Sequence, residues 1–221
     1  MSVRATLIAV LALLAVPAAA HAAPPWSPPQ PIAGSTEGAP QLVFTASGRG
    51  LALTWSNQDA PMRTGVLNGA FSEGAGPFGP ARMLGRLNLV ALRTYGRDRL
   101  VAFGTTGSRH LRPAVAFGRP DEPFAGAREI GPRGRDAYVV AADANAGGDI
   151  AILLRVCANN AKCGRTVPYL VVRRAGESFS DPIRLAGRGP TVSGAVAVNA
   201  RGDALVAWER PVTGGTGTRA I

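Results

Sequence analysis

The chain has 221 residues, 46% of them hydrophobic and 17% charged, which suffices for a folded core and excludes disorder over its bulk. Its 28 glycines and 18 prolines suit an all-β chain with many turns and exclude a mainly helical one. The formal charge is +10, yet the arginines are scattered, with Arg173-Arg174 the one adjacent pair. The absence of a basic run interleaved with aromatics excludes a dedicated nucleic-acid site, while attraction to an anionic wall polymer or acidic glycan remains open.

Residues 1–22 read as a secretory signal peptide. Arg4 supplies a positive start, Leu7 to Val16 an apolar stretch too short to span a bilayer, and Ala20-His21-Ala22 a cleavage pattern. The mature chain is therefore expected to begin at Ala23, secreted or at the cell surface, with no further membrane span and as a monomer.

From there the chain reads as short strands between polar turns, rich in Val, Leu, Ile and Ala and flanked by Gly, Asn and Asp. An extra N-terminal strand is expected at Trp26 to Ile32. Unit one (40–84) offers Gln41 to Thr45, Leu51 to Trp55, Met62 to Leu67 and Phe78 to Leu84, with a glycine-rich turn at Asn68 to Gly76. Unit two (87–131) offers Leu87 to Arg93, Leu100 to Phe103, Ala114 to Phe117 and Phe124 to Ile130. Unit three (136–185) offers Ala137 to Ala142, Ile150 to Val156, Val167 to Arg173 and Phe179 to Leu185. Unit four (191–221) offers Gly194 to Val198, Ala204 to Trp208 and a strand starting at Arg219.

Two anchors give the units their period. A glycine turn precedes an apolar run ending on Trp55, Phe103, Leu154 and Trp208, at steps of 48, 51 and 54 residues. An aromatic followed by small residues or proline recurs at Trp26, Phe78, Phe124 and Phe179, at steps of 52, 46 and 55. Four strands repeated every 50 residues or so is the sequence form of a β-propeller. The expected fold is all-β and propeller-like, with about four four-stranded blades. The first strand of each blade should line the centre, and the proline-bearing fourth (Pro28, Pro80, Pro182) should lie at the edge. Trp26 to Ile32 could close the fourth unit; the favoured expectation is a piece of a propeller with more blades.

The stretches VAVNARGDALVAWER and FSDPIRL resemble the repeats of exported bacterial proteins with sialidase-like or related propeller domains, over residues 26–221. That resemblance implies the fold more than an activity. The Arg-Ile-Pro motif and the Asp-box turns that a sialidase would carry are missing, so no catalytic residue carries over.

Candidate chemistry is sparse. Cys157 and Cys163 flank a short loop between two apolar runs, and a disulfide across a hairpin neck is expected, worth roughly 2 kcal/mol by loop entropy. Asp143, Asn145 and Asp149 place oxygens at alternate positions as a calcium loop would, but lack a further ligand and a closing glutamate, and read as a plain turn. No other cofactor is expected. Arg201-Gly202-Asp203 spells an adhesion tripeptide but occupies the turn of the repeat. His110 reads as a solvated loop residue. Acids such as Asp98, Asp121, Glu122, Asp136 and Glu209 could serve a glycosidase only if two converged. Trp26, Trp55 and Trp208 are expected to pack between blades. There is no P-loop, dinucleotide fingerprint or nucleophile elbow. The leading expectation is an exported non-enzymatic scaffold that binds a ligand through its loops. The alternatives are a sialidase-like glycoside hydrolase whose catalytic residues lie outside this chain, and a binder of anionic cell-wall polymer.

Overall fold

A computed structural model describes residues 40–56, 64–74, 76–107, 110–158, 163, 165–185, 193–211 and 218–220. The signal sequence and the strand expected at Trp26 to Ile32 lie outside the described residues. The described residues contain strands and turns but no helix, hence none long and apolar enough to cross a membrane.

Four antiparallel sheets follow one another along the chain, each with its strands in sequence order. The first sheet holds β1 (Gln41–Phe44), β2 (Gly50–Ser56), β3 (Val66–Ser72) and β4 (Arg82–Arg86). The second holds β5 (Asn88–Tyr95), β6 (Arg99–Thr106), β7 (Arg112–Gly118) and β8 (Arg128–Glu129). The third holds β9 (Ala137–Ala144), β10 (Ile150–Cys157), β11 (Thr166–Arg173) and β12 (Ile183–Arg184). The fourth has three strands, β13 (Gly194–Val198), β14 (Ala204–Pro211) and β15 (Thr218–Ala220). First strands are neighbours: β1 packs on β5, β5 on β9 and β9 on β13, and the series stays open among the described residues.

First strands turn into second strands through five residues between Phe44 and Gly50, Ala144 and Ile150, and Val198 and Ala204, and through three between Tyr95 and Arg99. Gly48, Gly96, Gly148 and Gly202 take φ of 84°, 57°, 97° and 82° there, a conformation that favours glycine. In three of the turns the glycine N–H donates back to Thr45, Asn145 or Asn199. Neighbouring turns are tied as well: Ala46 N–H donates to Arg97 O, Gly96 N–H to Ala146 O, and the Asn145 amide to Asn199 O.

This common turn defines equivalent positions. Leu51, Val101, Ala151 and Leu205 pair with Val43, Arg93, Asp143 and Ala197, and Leu53, Phe103, Leu153 and Ala207 lie two residues on. Side chains at these positions form the leading face of each sheet. The alternate positions, such as Leu100 and Ala102 or Ile150 and Ile152, form the trailing face.

Leu51, Leu53 and Leu67 of the first sheet pack on Leu92, Leu100 and Ala102 of the second. Val101, Phe103 and Val115 then pack on Ala142, Ile150, Ile152 and Leu154 of the third. Leu153 meets the fourth sheet at Gly194, where a Cβ would stand 2.4 Å from Leu153 Cδ2. The leading faces of the first three sheets are thus covered by the trailing face that follows each.

The structure departs from the expected strands in two places. β3 runs to Ser72, so Asn68 to Ser72 is strand and not turn; Gly69 belongs there because a Cβ would come within 2.4 Å of Leu84 and 2.9 Å of Leu51. The fourth strands are shorter than expected, because their aromatic and proline halves leave the ladder. Phe124 N–H instead donates to Leu84 O of the preceding sheet. Pro80 and Pro182, which have no N–H to give, precede the paired residues.

The large residues that end the second strands also differ from one another. Trp55 and Phe103 lie on leading faces, whereas Leu154 and Trp208 lie on trailing faces. The turn glycine precedes Trp55 by seven residues and Trp208 by six, and a one-residue difference reverses the face. Both rings are half-buried, Trp55 against the core between the first two sheets.

Candidate functional site

Four of the five acids considered from sequence have side-chain partners in the local structure. Asp98 accepts from Ser47 and Thr45 across the first two turns, which holds its carboxyl below the ordinary aspartate range. Asp121 lies 2.9 Å from Arg49 Nη2, and that guanidinium, with its burial opposing, keeps the Asp121 carboxyl low. Glu122 lies 3.8 Å from Arg119. Asp136 accepts from Leu111 N–H and lies 3.1 Å from His110 Nδ1, so the exposed loop residue His110 has that carboxylate as a neighbour. Glu209 is on β14, its N–H donating to Ser193 O.

One convergence of carboxylates does occur, and it involves a residue that sequence reasoning left aside. Arg49 Nη2 stands 2.9 Å from both Glu73 and Asp121. One cation is thus shared by two carboxylates from successive sheets, an arrangement that suits a clamp between them.

The calcium candidates are spent on the turn. Asn145 Oδ1 accepts from Gly148 and Asp149 N–H, and its amide donates to Asp149 Oδ2. The Asp149 carboxyl is lowered, first by that amide and then by Ala175 N–H. Asp143 binds Arg93 and Val198 N–H. Among the described residues no group of three or more His, Cys, Asp or Glu is placed to hold a metal. Arg201-Gly202-Asp203 forms the fourth turn, closed by Asn199 donating to Asp203 Oδ2 at 2.9 Å.

Cys157 and Cys163 form a disulfide with Cα atoms 5.0 Å apart, at the end where β10 and β11 pair Cys157 with Thr166. Beside this hairpin the structure gathers cations that are far apart in sequence. A cleft of about 380 Å³ is lined by Pro132, Arg133, Arg135, Val156, Ala158, Val167, Tyr169 and Arg184.

The positions follow from the local fold. Arg133 and Arg135 ride on the β8–β9 connection, bent at Gly131 (φ 89°) and Gly134 (φ 78°). Gly131 also lies tight against the third sheet, since a Cβ would be 2.8 Å from Leu154. Tyr169 on β11 pairs directly with Arg184 on β12. Arg112, whose Nη1 donates to Arg135 O, and Glu129 line an adjoining hollow of about 280 Å³ that shares Pro132 and Arg133.

None of the three cleft arginines makes an ion pair with another described residue, and no acid lines the cleft. Guanidinium forks in such a wall suit carboxylate, sulfate or phosphate oxygens, and a tyrosine face suits a sugar ring. The sequence signal was Pro132-Arg133-Gly134-Arg135 between two units. Arg184 could not be added to it without the sheet pairing.

No protein-family model matches this chain, and no curated protein matches it.

Proposed function

We propose that this chain is an exported, non-enzymatic, propeller-like scaffold that binds an acidic polymer, a carboxylated glycan in the first instance, in the cleft between Arg133, Arg135 and Arg184. The observation that carries the reading is the convergence of three arginines and Tyr169 on a wall without acids. The propeller reading, in the manner of the sialidase-like repeats, is supported by the neighbouring first strands and by leading faces meeting trailing faces. Export accords with the signal-like residues 1–22 and with a disulfide, a bond that persists in oxidising compartments.

The test is titration with polygalacturonate and with neutral dextran across a salt series. Wild type should bind the polyanion alone, with affinity falling as salt rises. Replacing Arg133, Arg135 and Arg184 together by Glu should weaken binding by about tenfold or more, corresponding to ~1.4 kcal/mol. Undiminished binding by that variant, or equal binding of dextran, would refute the cleft. Turnover of fluorogenic glycosides would refute the non-enzymatic reading.

A further inference from the structure

Two hollows meet at Pro132 and Arg133, and their charges differ. The arginine cleft, about 380 Å³, carries Arg133, Arg135 and Arg184 and no acid. The adjoining hollow, about 280 Å³, sets Arg112 and Glu129 beside Ile130 and Gly131. Together they form one groove that is cationic at one end and mixed in charge at the other.

The fold fixes this second end. Glu129 pairs with Ala114 on β7, and Ile130 N–H donates to Pro113 O at 2.8 Å. Gly131 turns the chain at a φ of 89°. Arg112 Nη1 donates to Arg135 O at 3.3 Å, which fastens the cation of the hollow to the loop that carries two of the cleft arginines. Arg112 and Glu129 line the same hollow without pairing with each other, and Glu129 is exposed and makes no ion pair with another described residue. Its oxygens are therefore available as acceptors.

A polyanion with a carboxylate on every sugar suits the cleft and not the hollow. Its next carboxylate would stand beside Glu129, and like charges so placed reject a ligand. An N-acylated amino sugar in the same place offers an amide N–H and hydroxyls to Glu129 and its acyl oxygen to Arg112. Pro132, half-buried between the two hollows, gives the acyl methyl an apolar contact.

We propose that the hollow is a second subsite, that Glu129 selects its occupant, and that the groove takes an acidic glycan in which carboxylated sugars alternate with N-acylated amino sugars. This rests on the arginine-cleft reading and narrows its ligand. It also runs against charge density: a uronic-acid homopolymer carries a carboxylate on every sugar, so attraction to arginines alone would favour the homopolymer.

Calorimetric titration with a hyaluronan oligomer, which alternates glucuronate with N-acetylglucosamine, and with an oligogalacturonate of equal length at one ionic strength separates the two. Wild type should bind the hyaluronan oligomer more tightly by about fivefold or more. Glu129→Gln keeps an acceptor oxygen and removes the charge at an exposed position, and circular dichroism checks its fold. It should bind oligogalacturonate more tightly than wild type does and bring the two affinities within about twofold. Equal or tighter binding of oligogalacturonate by wild type would overturn the proposal and leave the arginine cleft standing. An unchanged preference in Glu129→Gln would overturn it as well. If neither oligomer binds, the cleft reading falls and this one with it.

Discussion

Arg93 Nε donates to Asp143 Oδ1 at 3.0 Å, and the other oxygen of the same carboxylate accepts the Val198 N–H at 2.9 Å. Arg93 and Asp143 are equivalent residues of consecutive first strands, and Val198 belongs to the next. One half-buried carboxylate thus ties three sheets together. Gln41 makes the preceding link, its Oε1 accepting Leu92 N–H at 3.2 Å.

Asp143→Ala should therefore destabilise the chain by about 1–3 kcal/mol, since it strands a cation and a backbone donor. Asp143→Asn keeps an acceptor oxygen and should cost less. Urea denaturation of the three proteins checks the order; equal midpoints would mean that the bridge contributes nothing.

Core residues and the tryptophan should separate clearly. Phe103 is fully buried between the second and third sheets, so Phe103→Ala should cost about 3–5 kcal/mol. Trp208 is half-buried, and its Nε1 is buried without a hydrogen-bond partner among the described residues. Trp208→Phe removes that unpaired donor and should change stability by less than about 1 kcal/mol. Thermal melts of both variants test the contrast.

Two turn glycines should respond differently to alanine. At Gly48 (φ 84°) nothing lies within 4 Å of the position an alanine methyl would take, so only backbone strain of about 1–2 kcal/mol is expected. At Gly202 (φ 82°) the methyl would stand 2.0 Å from Arg174 Nη1 and 2.6 Å from Asp149 Oδ2, so the loss should be larger. Equal losses, read from denaturation midpoints, would show that the Arg174–Asp149 neighbourhood yields freely.

Acid should loosen the turns. Asp98, Asp121 and Asp149 all titrate below the ordinary aspartate value, through Ser47, Arg49 and Asn145 respectively. A carboxylate lowered by folding contributes stability that is present above the unfolded pKa, near 3.9, and is lost as pH falls through the folded value. Stability should accordingly hold from neutral pH to about 4.5 and decline below about 4. Asp149→Asn should flatten that decline, as denaturation midpoints measured through the acid range would show.

The Cys157–Cys163 bond closes a short loop, so its loss should be modest. Cys157→Ser with Cys163→Ser should cost roughly 2 kcal/mol in thermal or urea denaturation and leave the sheets intact by circular dichroism.

The sequence by itself determined the all-β character, the turns from first to second strands and the disulfide hairpin, because each rests on local chemistry: glycine at positive φ, alternation of apolar residues, and two cysteines six apart. Tertiary structure alone decided the rest. A seven- or six-residue step from turn glycine to tryptophan is visible in the sequence, but its meaning appears only when opposite faces of a sheet have different neighbours. Arg184 joins Arg133 and Arg135 through pairing across a sheet, and Glu73 joins Asp121 through Arg49. The exposure of Leu205 was equally hidden, since Leu51 at the equivalent position is fully buried. Burial belongs to the stacking of sheets, a non-local property that residue type alone does not carry.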